Sequence, residues 1–283
     1  MMHERLKIPV SVGCELIDIP RSTYYYRNRV KQETRLETDM LIVCGQFPTY
    51  GTRRITYQLR RRPFGYAINR KRTHRLMHAK GLLRIPKRKT CWTTNSNHPY
   101  PRYPNLLKKI EIIRPDQVWV SDATYIRLRN KFIYLAIVMD VFTRAIRGWE
   151  LSTSLDQEMT LNALRKGLLD RKPEIHHSDQ GIQYAAHAYV DLLRANNIQI
   201  SMSAPGKPEE NGYAERWMRT FKEEEVFLTE YQDFADARHQ IGEYIDNMYM
   251  TKRIHSSLGY LTPAEFEDAH LLLSSVPVPP KET

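Results

Sequence analysis

Val118-Trp119-Val120-Ser121-Asp122-Ala123-Thr124-Tyr125 is a run of β-branched and aromatic residues with one acid inside it, and its reading decides the fold. Such a composition favours a pleated, half-buried strand. Strands are expected over Val118 to Leu128, Lys131 to Val141 and Ala145 to Leu151, separated by the turn signals Arg129-Asn130 and Phe142-Thr143. Three neighbouring strands so spaced predict an antiparallel meander. Downstream the texture alternates between an amphipathic helix over Asp156 to Leu169, a strand over Glu174 to Ser178, a helix over Ala185 to Ala195 and a strand over Ile198 to Ser203. That order implies a mixed α/β sheet with flanking helices. Glu210 to Glu224 reads as a strong helix with Ala214, Trp217, Met218 and Phe221 on one face, and Asp233 to Met250 as the helix that closes the core.

An acid inside an apolar strand is costly unless something positive balances it, so Asp122 invites a metal ion. Asp179, in His177-Ser178-Asp179-Gln180-Gly181, follows a short strand, where the carboxyl end of an α/β sheet opens into a crevice. Glu215 lies one residue off the apolar seam of its helix, so its carboxylate can point toward the sheet. Mg²⁺ takes oxygen ligands, and two ions held by shared carboxylates can activate a nucleophile and stabilise the leaving oxygen of a phosphodiester. Each acid alone also fits a structural role. The constellation points to phosphoryl transfer.

Working outward, charge divides the chain. Lys plus Arg exceeds Asp plus Glu by 11 overall, and the excess sits before Ile110. No carboxylate occurs between Asp39 and Glu111, where Arg53, Arg54, Arg60, Arg61, Arg62, Arg70, Lys71, Arg72 and Arg75 lead a series of cations ending at Lys109. A surface of one sign calls for a polyanion. Within it, Thr52 to Arg61 is helix-compatible, Pro63, Phe64 and Gly65 break the pattern, and Asn69 caps a second helix that ends near Gly81. This reads as a helix-turn-helix, whose Arg53, Arg54, Arg70, Lys71, Arg72 and Arg75 meet phosphates or base edges, or else pack a basic helix on its own domain. A weaker helix pair covers Ser11 to Ile17 and Arg21 to Arg27.

Four local words carry a resemblance: Trp119-Val120-Ser121-Asp122-Ala123-Thr124-Tyr125, His177-Ser178-Asp179-Gln180-Gly181-Ile182-Gln183-Tyr184, Asn211-Gly212-Tyr213-Ala214-Glu215-Arg216 and His255-Ser256-Ser257-Leu258-Gly259-Tyr260-Leu261-Thr262-Pro263. They resemble the signatures of insertion-sequence DDE transposases and retroviral integrases, and the 35 residues between Asp179 and Glu215 match the spacing in that branch. The resemblance implies a ribonuclease H-like catalytic core with Asp122, Asp179 and Glu215 as the catalytic, metal-binding triad. It implies two Mg²⁺ ions, with Mn²⁺ as a substitute, cleavage of the element's DNA ends, and strand transfer by the exposed 3′-hydroxyl. The family's cation after the glutamate corresponds to Lys222; Glu215, Arg219 and Lys222 fall at i, i+4 and i+7, so Arg219 and Lys222 can clamp phosphates from one helix face. For Arg219 and Lys222 the plainer role is pairing with Glu223 to Glu225, and for Asn211 the choice is DNA contact or helix cap. Asp140 reads as a core or turn residue rather than a fourth ligand, and His176 and His177 as packing more than catalysis.

The resemblance departs at two places where relatives often carry serine, Ala185 and Arg216. The zinc-binding His/His/Cys/Cys domain of retroviral integrases and the leucine-zipper first-frame product of related elements are both missing, so the chain reads as a second-frame protein. Its expected partners are DNA at the element ends and target, further copies of itself on that DNA, and an upstream-frame product or frameshift fusion.

The fold class expected is therefore α/β, a ribonuclease H-like mixed sheet with flanking helices, preceded by an all-α helix-turn-helix region. The domains are expected as 1–83 for the basic helix-turn-helix region, 84–112 for a basic linker, 113–270 for the catalytic core and 271–283 for an extended tail. A hydrophobic share of 41% in 283 residues rules out a wholly disordered chain. The longest apolar run, Phe132 to Met139, is too short to span a bilayer, and no secretory leader is visible. A cytoplasmic, nucleoid-associated protein is expected. Cys14, Cys44 and Cys91 are too scattered for a disulfide framework or a zinc finger. The competing function is a DNA-binding regulator of transposition without catalysis; a nuclease that cuts without joining is the third reading.

Overall fold

The computed structural model describes residues 9–25, 34–84, 101–129, 131–204 and 206–275. Most of the expected basic linker, Cys91 and the expected Pro-rich tail Pro277 to Pro280 lie outside the described residues. The chain divides into two compact units, 1–42 and 43–283. The first contains α1 (Val10–Leu16) and α2 (Arg21–Tyr25), and α3 (Thr34–Gln46) runs through the boundary. Helix α3 was not expected. Its buried Leu36, Met40, Val43 and, just beyond, Phe47 recur at helical spacing.

The second unit opens with α4 (Thr52–Arg60) and α5 (Arg70–Ala79). Ile55, Leu59 and Met77 are wholly buried between them. Asn69 caps α5 as expected, its side-chain oxygen accepting from the Arg72 backbone N–H at 2.9 Å, and Gly81 takes the left-handed conformation at φ 66° where the helix ends. The pair is anchored to the remainder of the unit. The Tyr57 ring stacks on Tyr260 at 3.5 Å between centroids, Arg61 pairs with Glu265 and donates to the Tyr260 carbonyl at 3.0 Å, and the Tyr50 hydroxyl accepts from the Ile254 backbone N–H.

Five strands follow: β1 (Val118–Leu128), β2 (Lys131–Asp140), β3 (Ile146–Ser152), then α6 (Gln157–Gly167), β4 (Ile175–Ser178), α7 (Ile182–Ala185), α8 (His187–Ala195) and β5 (Gln199–Met202). The sheet order is β3-β2-β1-β4-β5. Strands β1 to β3 form the antiparallel meander, with Asp122 opposite Ile137, while β4 and β5 add in parallel. Both faces are covered. Val118, Val120, Ile133, Leu135 and Ile137 pack under α9 (Gly212–Phe221) and α10 (Phe234–Gly242). The alternate residues Trp119, Ala136 and Val138 pack under α6 and α8. This is the ribonuclease H-like mixed sheet expected, preceded by helices.

The ends of several helices differ from expectation. The stretch expected as one helix from Ala185 breaks at Ala186, which has an extended ψ of 144°. The Glu210 helix starts as a 3₁₀ turn over Pro208–Asn211 and finishes as a π-helical turn over Lys222–Val226. Helix α10 likewise widens into a π-helix over Glu243–Lys252. A final helix, α11 (Pro263–Ser275), follows the last of the four sequence words.

Candidate functional site

Three acids from three elements face one end of the sheet. By the pleat, Asp122 in β1 shares the face of Val118 and Val120, the face that α9 covers. Asp179 immediately follows β4, and Glu215 stands one turn into α9. All three are half-buried. Asp122 accepts a hydrogen bond from the Ala123 backbone N–H at 2.8 Å, and Asp179 accepts from the Gly181 backbone N–H at 2.9 Å. Gly181 allows this close turn, because a Cβ there would stand 2.9 Å from Asp179 Oδ1.

The three acids feel one another. Burial first, then the Asp179 charge, push the Asp122 carboxyl up to about 8; the Ala123 N–H opposes them, Glu215 adds less, and Lys222 opposes least. Burial also raises Glu215, with Arg219 opposing and Glu209 and Asp179 adding. Burial lowers Lys222, with Asp122 opposing. Its ammonium stands over the Tyr125 ring, 4.7 Å from the centroid. Arg219 in the last turn of α9 acts on Glu215, and Lys222, the first residue after α9, acts on Asp122. Glu223 pairs with Arg84, and Glu224 with Arg253.

A divalent cation fits this donor set. Its donors are hard carboxylate oxygens, the ligands Mg²⁺ prefers, and a cation there would relieve the burial and mutual repulsion that raise Asp122. Among the described residues no three His, Cys, Asp or Glu side chains stand together as one metal cage. Mg²⁺ does not require a protein cage, since it keeps waters and uses one or two carboxylates per ion.

Around the acids the packing is polar and specific. His176 Nε2 lies 2.7 Å from Ser121 Oγ and 3.0 Å from the Tyr189 hydroxyl, and His177 Nδ1 lies 2.8 Å from Ser201 Oγ. Burial lowers both imidazoles, His176 to about 3 and His177 to about 4, so they are neutral packing groups. Asp140 is fully buried and accepts from the backbone N–H groups of Asp116 and Thr143, beside Arg147. It is a core residue, as its sequence context implied. Asn211 neither caps α9 nor faces outward; its side-chain amide donates to the Ser121 carbonyl at 3.1 Å and ties the start of α9 to β1 beside Asp122. The sequence reading passed over Tyr184. Among the described residues its buried hydroxyl has no hydrogen-bond partner, and its pKa is raised by burial, then by Asp122, Tyr189 and Asp179.

The expected DNA-contacting cations of the helix-turn-helix belong to α4 and α5. Arg53, Arg70, Lys71 and Arg75 are exposed, Arg72 is half-buried, and Arg54 turns inward, 3.8 Å from Glu224 and over the Tyr50 ring.

Residues 113–208 and 196–263 match families described as Integrase core domain, and residues 31–90 match an HTH-like domain. The transposase for insertion sequence element IS904 of Lactococcus lactis is 35% identical over 77% of this chain and 87% of its own length. The chain belongs to the insertion-sequence transposases. An uncharacterized 31 kDa protein of insertion element IS600 from Shigella sonnei is 33% identical over 91% of this transposase and 98% of its own length. Among solved structures, the HTLV-2 integrase catalytic core domain in complex with magnesium aligns over 54% of this transposase and 96% of its own chain, at 14% identity and a TM-score of 0.43.

The activity of this transposase is that of a DDE polynucleotidyl transferase: divalent-metal-dependent cleavage of DNA strands and strand transfer. DNA is its partner, bound through the HTH-like and integrase-core regions. No helix among the described residues is long and apolar enough to cross a membrane.

Proposed function

We propose that Asp122, Asp179 and Glu215 are the catalytic carboxylates of this transposase and that they hold two Mg²⁺ ions, for which Mn²⁺ can substitute. The observation that carries the assignment is electrostatic: Asp122 is destabilised as an anion first by its burial, then by the charge of Asp179 and, less, by that of Glu215, although the three come from a strand, a loop and a helix. When bound, the ions supply Lewis-acid stabilisation of the charge that develops on attacking and leaving phosphodiester oxygens. The chain supplies position. Asn211 and the Gly181 N–H fix the approaches of α9 and of Asp179 to β1. Lys222, steadied on Tyr125, and Arg219 offer cations to the phosphates on either side of the reacting bond. A first reaction, hydrolysis, leaves a 3′-hydroxyl, whose oxygen then attacks a second phosphodiester while the displaced 3′ oxygen takes up a proton.

The element ends are read by the helix-turn-helix, with Arg53, Arg70, Lys71, Arg72 and Arg75 as contacts, while Arg54, expected among them, turns inward to Glu224. The working complex contains more than one copy of the chain on nucleoid DNA in the cytoplasm, with an upstream-frame product as a further partner. We assign 1–83 to end binding, 84–112 to a linker, 113–270 to catalysis and 271–283 to a tail. The test is Asp179→Asn assayed on a labelled terminus with and without Mg²⁺. DNA binding is expected to persist while nicking and joining vanish; joining by the variant would remove Asp179 from the site. A wild-type chain that shifts DNA but never nicks it would be a regulator, and one that nicks without joining a nuclease.

A further inference from the structure

Helix α9 and the turn that continues it present Glu215, Arg219 and Lys222 on one side and Tyr213, Arg216, Trp217 and Thr220 on the other. That second side closes a cavity of about 490 Å³ that none of the three acids enters. Its walls bring together four guanidiniums from four parts of the chain: Arg54 of α4, Arg144 of the turn between β2 and β3, Arg216 of α9 and Arg253. Arg253 is held by both oxygens of Glu224, at 2.7 and 2.9 Å, and Glu224 is also the ion-pair partner of Arg54. Glu209 and Glu210 reach the same cavity, and Glu210 is engaged by Lys108 at 2.8 Å. Four cations therefore face Glu224 and Glu209 as their remaining counter-charges, which leaves an excess of positive charge.

Two further observations favour an anionic occupant. Among the described residues the buried Trp217 indole N–H has no hydrogen-bond partner, Trp217 lines the cavity, and an indole nitrogen can only donate. The His255 imidazole on the same wall is kept neutral by burial and by the charges of Arg253, Arg54 and Arg144, so the field there is positive. Ser256 and Ser257 add hydroxyls from the last of the sequence words, for which the catalytic reading has no use.

We propose that this cavity is a phosphate-binding site, distinct from the three acids, that grips a backbone phosphate of DNA behind the catalytic helix. Guanidinium groups match phosphate oxygens in planar, paired hydrogen bonds. Occupancy would join α4 of the helix-turn-helix pair, through Arg54, to α9, so DNA in this site braces the helix that carries Glu215. The inference rests on the DNA-joining activity only for what carries the phosphate.

The experiment measures affinity of the full chain for a short mixed-sequence duplex against salt, with no divalent metal, so loss of catalysis cannot imitate loss of the site. Arg144→Gln and Arg216→Gln are each expected to lower the slope of log affinity against log salt by about 0.9, the release expected for one phosphate contact. Arg165→Gln, on the exposed face of α6 where Arg165 pairs with Glu158, is expected to leave the slope unchanged. In a second arm, inorganic phosphate is titrated while tryptophan emission is read, with Trp217→Phe as the blank. A Trp217-dependent change that duplex DNA competes away supports the site. Unchanged slopes in both arginine variants overturn it, and a phosphate response that DNA does not compete away assigns the cavity to free anions instead.

Discussion

The Gly181 backbone N–H donates to Asp179 Oδ1 at 2.9 Å, and the space a Cβ of residue 181 would need is taken by that same oxygen. The other near atoms are Gln183 Oε1 at 3.1 Å and Tyr184 Cδ2 at 3.4 Å. All three belong to side chains, so Gly181→Ala can be accommodated by small rotations. What rotates is the carboxylate proposed to hold metal. A displacement of this order at a reacting centre costs about 10²-fold in rate. Gly181→Ala is expected to keep its thermal midpoint and its DNA affinity while strand transfer falls by about that factor. Joining at the parental rate would show that Asp179 needs no fixed position.

Asp122 predicts a pH dependence with a definite sign. Its carboxyl lies near pKa 8 in the folded, metal-free chain, because of burial and then Asp179, against about 3.9 unfolded. Between those values the folded chain holds a proton that the unfolded chain has lost, so stability falls as pH rises through the window. Asp122→Asn removes this loss. It is expected to match the parent near pH 4 and to exceed it in stability near pH 8, without strand transfer. Mg²⁺ is expected to raise the parental midpoint more at the alkaline end than at the acid end. Unfolding scans across pH, with and without Mg²⁺, decide it, and a flat difference between parent and variant would detach Asp122 from the acid cluster.

The meander was legible to the residue at β1, because strands buried on both faces write a continuous apolar run bounded by turns, and Val118 to Leu128 does so. The acids were legible as a constellation; their mutual electrostatics was not, since it depends on burial. Two helices were missed although signals for both were present. Thr262-Pro263-Ala264-Glu265 is a capping box, with the Glu265 N–H donating to Thr262 Oγ1 and Glu265 Oε2 accepting from the Thr262 N–H. Leu36, Met40, Val43 and Phe47 mark α3 in the same way. The π-helical turn at Lys222–Val226 has no sequence mark. Tyr184, the bond from Asn211 to the Ser121 carbonyl and the arginine-lined cavity were likewise hidden, because each gains its meaning from residues far along the chain.

Arg253 is 4% exposed and Glu224 12%, and the guanidinium meets the carboxylate through two hydrogen bonds. Removing one member of so buried a pair strands the other, at a cost of about 3–5 kcal/mol. Glu224 keeps the Tyr244 hydroxyl at 3.2 Å, which places Arg253→Ala near the lower end. Lysine at 253 has one donor head where two directed bonds are needed, so it restores only part of the loss. Urea unfolding of both variants measures the difference. Equal stability of Arg253→Ala and the parent would mean that desolvation of the pair cancels its attraction.

Gly148, in the centre of β3, makes a sharper stability prediction because its obstacles are backbone. A Cβ there would lie 2.1 Å from the Ala163 carbonyl oxygen and 2.8 Å from the Gly167 nitrogen, so α6 rests directly on the strand at this point. No rotamer relieves such a contact. Gly148→Ala must push α6 away, opening the packing of Met159, Ala163 and Leu164 against Trp119, Ala136 and Val138. Overpacking a rigid contact costs about 1–3 kcal/mol and occasionally more. Gly181→Ala loses activity with its fold intact; Gly148→Ala is expected to lose activity by losing the fold, with a lowered thermal midpoint and a fall in soluble yield. A second change that shortens the facing side of α6 cannot rescue it, since the clash is with the helix main chain. A Gly148→Ala chain as stable as the parent would mean that β3 and α6 are not in contact at this depth.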